Sequence, residues 1–199
     1  MSSMSKAAFS EVIESNLHGF LAQSWQWNTF PAFGSLVTIE DKKRIIFGIV
    51  YQVQTGSMDP VRYPFPYQKT YDELIKEQPQ IFEFLKTTFS CVTVGFADRG
   101  SIFYQLPPEP ANIHAFVGTA SSELSKQFFY QNNYLHMLFA AVQITNLDEL
   151  LLAILRQHAT LGILKKEKIG AFMNIYSLLT ANDYRRMKLF LQRVEPMIV

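Results

Sequence analysis

Cysteine is almost missing from this chain. Cys91 is the single one among 199 residues, so no internal disulfide can form and no thiolate metal site can be assembled. A reducing interior suits such a sequence, and the expected location is the cytoplasm. The N-terminal stretch MSSMSKAAFSEVIESNL has no continuous apolar region of signal-peptide type, and no run approaches the roughly 20 apolar residues needed to cross a bilayer. Excess charge is missing too: the formal net charge is +1, which supplies no global attraction for DNA or RNA. No GxxxxGK[ST] string occurs among the nine glycines, so the phosphate cradle of a P-loop is absent. His18, His114, His136 and His158 stand alone, none with a second ligand at metal-site spacing, and are expected in core or surface roles. Cys91 lies in the apolar run SCVTVGF with no basic neighbour, which reads as inert packing. No nucleophile, base and orienting group can be assembled, so no catalytic residue, cofactor or metal is expected.

What the chain does contain is apolar material. Hydrophobic residues make up 48%, aromatics 14% and charged residues 18%, enough for a substantial core or for adhesive surface. The stretch FGSLVTIEDKKRIIFGIVYQVQTGSMDP reads as a hairpin: β-branched and aromatic residues at 36–39 and 44–53 flank the charged turn Glu40, Asp41, Lys42, Lys43. Gly48 inside the second strand predicts a bend or bulge. TFSCVTVGFA and SIFYQLP, joined at Asp98, Arg99 and Gly100, predict another hairpin, and a last strand is expected over 113–117. Residues 9–27 are ambiguous. They suit two strands bent at Gly19, with Trp25 and Trp27 on one face, but a helix over 9–17 competes.

Between the hairpins the text changes. SMDPVRYPFPYQKTYDEL carries Pro60, Pro64 and Pro66 with aromatics between, which excludes a central strand and makes an extended arm. Thr70 with Glu73 predicts a capped helix, and Pro79 opens a second short one over 80–86. Beyond Gly118 the pattern becomes helical: segments begin at Ser121 or Ser122, at Asn133, at Asn146 with Glu149, at Lys165, and at Thr180 with Asp183. The expected class is α+β, a small N-terminal β-barrel over 9–118, with the arm and short helices inserted at 57–87, followed by an all-helical region over 119–199.

GSLVTIEDKKRIIFGIVYQVQTGSMDP, EQPQIFEFLKTTFSCVTVGF and QLPPEPANIHAFV together resemble the HAS-barrel family over roughly residues 9–118. This is the β-barrel at the N-terminus of HerA-type hexameric DNA translocases, related to the N-terminal barrel of ATP synthase subunits. The resemblance implies a noncatalytic module used for ring assembly and for docking proteins such as a nuclease. The ATPase half of that family has no counterpart here.

Two functions from different classes remain open. One is a noncatalytic assembly or adaptor protein that multimerises or docks onto a larger complex, a translocase or nuclease machine being the type implied. The other is a nucleic-acid-associated protein. For the first, the candidate residues are Arg62, Tyr63, Phe65 and Tyr67 of the arm, since aromatics held by proline lose little entropy on binding; the same arm could instead fold back over an open barrel end. For the second they are Arg185, Arg186, Lys188 and Arg193 on the last helix. There Tyr184, Met187, Leu191 and Val194 recur at helical spacing as a docking stripe, and the cations face either water or an anionic partner. Acidic pairs at Asp72–Glu73 and Asp148–Glu149 are read as favourable charge at helix N-termini.

Overall fold

In the computed structural model, which describes residues 8–41, 44–59, 61 and 64–197, the first half of the chain closes into a barrel. Strand β1 (Ala8–Asn16) turns at Leu17 and His18 into β2 (Gly19–Ser24), which settles the ambiguous opening in favour of strands. Strands β3 (Leu36–Asp41) and β4 (Arg44–Ser57) form the expected hairpin, paired from Leu36 with Ile49 to Asp41 with Arg44. Strand β5 (Leu85–Asp98) runs the whole length of β4, and β7 (Phe116–Thr119) fits between β1 and β3. The order β2-β1-β7-β3-β4-β5, with β5 returning to β2, makes six antiparallel strands without a free lateral edge; β6 (Ser101–Phe103) hangs from the end of β5. Closure removes the unpaired backbone groups that an open edge would offer to other chains.

Register shifts mark the corners. One falls between Phe47 and Gly48, where the sequence predicts a bend, and the reason is space: a Cβ on Gly48 would lie 2.7 Å from the Phe20 ring. Gly19 is tighter still, since a Cβ there would sit 2.3 Å from the Cys91 carbonyl oxygen on the strand that closes the barrel. Gly19→Ala is therefore expected to destabilise the fold by roughly 1–3 kcal/mol through overpacking. A denaturant titration in which the midpoint does not move would contradict this account of the seam.

Two apolar clusters share the barrel wall. Side chains pointing inward, among them Val12, Phe20, Ala22, Val37, Ile39, Ile46, Val50, Phe89, Cys91 and Val117, fill the interior. Those pointing outward from β3, β4 and β5, namely Leu36, Phe47, Ile49, Val92 and Val94, belong to the core of the helical region. This wall is buried on both faces, which is why RIIFGIV and CVTVGF read as unbroken apolar runs. Strand β1 is covered on one face at Ser10 and Val12, and a register shift between Val12 and Glu14 interrupts the alternation and leaves Ile13 and Glu14 exposed.

The helices are α1 (Tyr71–Glu77), α2 (Ser122–Phe128), α3 (Tyr134–Ala140), α4 (Leu147–Thr160), α5 (Lys166–Leu179) and α6 (Tyr184–Val194). Thr70 and Glu73 form the predicted capping box of α1, and Pro79–Phe84 is a 3₁₀ segment that hands directly to β5 at Leu85, shorter than expected. Asn146 stands at the N-cap of α4, but its side chain makes no capping bond. Thr180 ends α5, its hydroxyl donating to the Tyr176 carbonyl at 2.9 Å; Asp183 alone opens α6, accepting from the Arg186 amide at 3.0 Å. Strand β7 begins later than predicted because His114 takes a left-handed conformation (φ 64°) and turns the chain first. β6 stops early because Tyr104 leaves the sheet to donate from its hydroxyl to the Phe128 carbonyl. The two tryptophans follow β2 and do not share a face: Trp25 meets Phe116 edge-on, whereas Trp27 stacks on Phe82.

Candidate interaction surface

The arm begins where β4 outruns β3. Residues 52–57 of β4 run on along β5, from Gln52 opposite Ser90 to Ser57 opposite Leu85. Past the β2 pairing, which ends at Gln23 opposite Thr88, the last pairs from Thr55 opposite Thr87 to Ser57 opposite Leu85 form a short two-stranded ribbon that carries the arm. Arg62 and Tyr63 lie outside the described residues, as does Pro60. Phe65 and Tyr67 meet edge to face at 5.8 Å, and Phe65 is 71% exposed, so this ring does not fold back to plug the barrel end. The base of the arm is fixed. Trp27, Phe82 and Tyr71 form a chain of rings with successive centroids 5.4 Å apart, and Lys69 pairs with Glu77.

That rigid base brings out residues the sequence reading missed. Tyr71, Ile75 and Phe84 are all exposed along the same inserted segment, as are Met58 and Val61. Large apolar side chains left in water at this density are the usual mark of a contact surface. The missed signal is that neither α1 nor the 3₁₀ segment has a buried residue, although both contain apolar ones.

The basic helix is organised differently from its pattern. Phe190 and Val194 are buried, Met187 and Leu191 are half-buried, and Tyr184 is exposed, so the docking stripe is shifted off Tyr184 and onto Phe190. Phe190 stacks on Tyr176 of α5 at 4.7 Å. Arg186 grips Asp148 with two bonds, Nη2 to Oδ1 at 2.7 Å and Nε to Oδ2 at 3.0 Å, and the Tyr176 hydroxyl donates to the same carboxylate at 3.1 Å. Burial, then the Asp148 charge, pushes the Tyr176 hydroxyl up to about 12. Arg193 pairs with Glu149 at 2.6 Å. The acidic pair at the start of α4 therefore neutralises two of the four cations, a contact between helices that local charge patterning does not reveal. Arg185 and Lys188 remain exposed, with no carboxylate partner among the described residues.

The other sequence-level sites are accounted for by packing. Cys91 is buried in the barrel and burial raises its thiol pKa well above the ordinary range. At the TGSMDP corner the Ser57 and Asp59 side chains accept from the amides of Asp59 and Val61, which makes an ordinary turn. No group of three or more metal-ligating side chains converges among the described residues. None of their helices is long and apolar enough to cross a membrane. No protein-family model matches the chain, and no curated protein matches it either.

Proposed function

We propose that this protein is a noncatalytic assembly or adaptor module of the cytoplasm: a HAS-like barrel, stiffened on its outer wall by helices, that multimerises or docks onto a larger complex. The observation that carries this reading is the short ribbon with Phe65, Tyr67, Tyr71, Ile75 and Phe84 exposed on a fixed base. A surface already held in shape loses little conformational entropy on binding, so its apolar area converts efficiently into affinity. The closed six-stranded barrel with its packed interior supports the HAS-like reading, and that resemblance makes a DNA translocase or nuclease machine the type of complex proposed. Nucleic-acid contact through the last helix is the weaker reading, because two of its cations are already paired within the molecule.

Light scattering over a concentration series is expected to show multiples of the 22.9 kDa chain mass, a hexamer favouring translocase-like assembly. With Phe65, Tyr67 and Phe84 all replaced by Ser the protein should return to monomer while keeping its thermal midpoint, since all three are exposed and anchoring aromatics contribute about 2 kcal/mol each, or some 30-fold in affinity. Self-association that survives the triple replacement would remove the arm from the interface. A strict monomer that also retains no protein partner would defeat the assembly reading itself.

A further inference from the structure

Closure covers β4 only as far as Val50. The Val50 amide donates to the Ser35 carbonyl at 3.1 Å, and its carbonyl accepts from the Gly34 amide at 2.8 Å. Beyond that point no backbone among the described residues pairs with the β3 side of β4, although the strand continues to Ser57 along β5. Backbone groups alternate between the two sides of a strand. The Met58 amide donates to the Phe84 carbonyl at 2.7 Å, so Gly56 and Gln54 also address β5. Val53, Thr55 and Ser57 therefore turn their amides and carbonyls to the open side.

Neither charge nor proline protects this edge. Residues 51–57 read YQVQTGS, and a Cβ on Gly56 would meet nothing within 4 Å. Apolar side chains flank both ends. Met58, Val61 and Phe65 are exposed where the edge runs into the arm, and Phe30 and Phe33 are exposed on the loop that reaches Val50 through Gly34. Such an edge is complementary to itself. When two copies pair antiparallel about a two-fold axis at Thr55, Val53 of one faces Ser57 of the other, and Gln54 faces Gly56. All three open-side residues of each strand then bond across the seam. The arm of each copy leaves beside Tyr51 and Gln52 of the other, toward Phe30 and Phe33. A peptide strand satisfies the same edge, but only a second copy brings its own arm to the Phe30 and Phe33 end, and it does so twice.

We propose that the open edge of β4 is the seam of a two-fold homodimer, in which residues 53–57 of two copies pair antiparallel and continue the sheet from one barrel into the other. This rests on the assembly reading and names its partner as a second copy of this chain. The test is Gln54→Glu with Gly56→Glu in the full chain, followed by light scattering over a concentration series. Within one chain the change is benign: Gln54 is exposed, the space at Gly56 is open, and the new carboxylate at 56 lies opposite Lys86 of β5. Across the seam it sets carboxylates directly opposite one another twice. The dimer is expected to weaken by at least about tenfold, with the far-ultraviolet ellipticity unchanged. A second measurement does not depend on that variant. Thr55→Cys places an exposed thiol opposite its own copy, and a short bifunctional maleimide should join two chains there, whereas the buried Cys91 stays unreacted. Self-association undiminished by the paired glutamates, or failure of Thr55→Cys to cross-link, overturns the seam and leaves assembly to the arm alone. An unmodified chain that is monomeric at every concentration also overturns the seam, and the assembly reading falls with it only if no other protein is retained.

Discussion

Phe128→Ala is expected to lower the unfolding free energy by about 3–5 kcal/mol, as truncations of fully buried aromatics do. Phe128 has no exposed surface, and its ring meets Phe47 of the barrel wall at 4.7 Å, Tyr104 at 5.2 Å, Phe129 at 5.3 Å and Tyr134 at 6.0 Å. It joins the outward face of β4 to α2 and α3. The loss should therefore be felt on both sides of that junction. Both tryptophans lie in the barrel half, so their fluorescence reports on the barrel, whereas ellipticity at the helical band reports mainly on the helical region. In urea the two signals should move together to a lower midpoint in the variant. If only the helical signal shifted and the tryptophan transition stayed in place, the shared core would not couple the barrel to its helices.

Acid should destabilise the protein through a single histidine. His158 is fully buried, packed against Phe129 at 4.4 Å and Tyr134 at 6.5 Å, and neither ring nitrogen has a hydrogen-bond partner. Burial, then the nearby Lys168 charge, lowers its pKa from the ordinary 6.5 to about 3. In the unfolded chain His158 takes a proton near 6.5; in the folded state it stays neutral down to about 3. Its contribution is thus intact above pH 6.5 and is lost progressively as pH falls toward 3, at roughly 1.4 kcal/mol per pH unit.

His158→Leu should flatten that slope. At neutral pH the same change should leave stability level or slightly raised, because it removes two unsatisfied buried nitrogens while keeping an apolar side chain against Phe129. Urea midpoints measured at pH 7, 6, 5 and 4 for both proteins provide the comparison. Parallel curves would show that His158 is not the source of the acid sensitivity.

Local physics made much of this fold readable. Runs of β-branched residues marked β3, β4 and β5; the Thr70–Glu73 box and Asp183 marked helix starts; and Gly48 marked a corner, because each signal acts within a few residues of itself. Where local signals competed, the text was silent. Residues 9–17 could be helix or strand until pairing with β2 and β7 decided, and Trp25 and Trp27 diverge because the chain bends directly after Ser24. The arm was visible as a proline-rich break with aromatics, but Tyr71, Ile75 and Phe84 were not, since a pattern shows that a helix has an apolar side and not that nothing covers it.

The sequence by itself determined the class, the positions of β3, β4 and β5 and of the helices, and the lack of disulfide, P-loop and metal-site spacings, because composition and short-range periodicity carry that information. Only the tertiary structure decided that β5 returns to β2 to close the barrel, that β3, β4 and β5 are covered on both faces, and that Arg186 and Arg193 are held by Asp148 and Glu149. The reason is the same in each case: these contacts join segments tens of residues apart, and their energy depends on shape and on the exclusion of water, which no local spacing records.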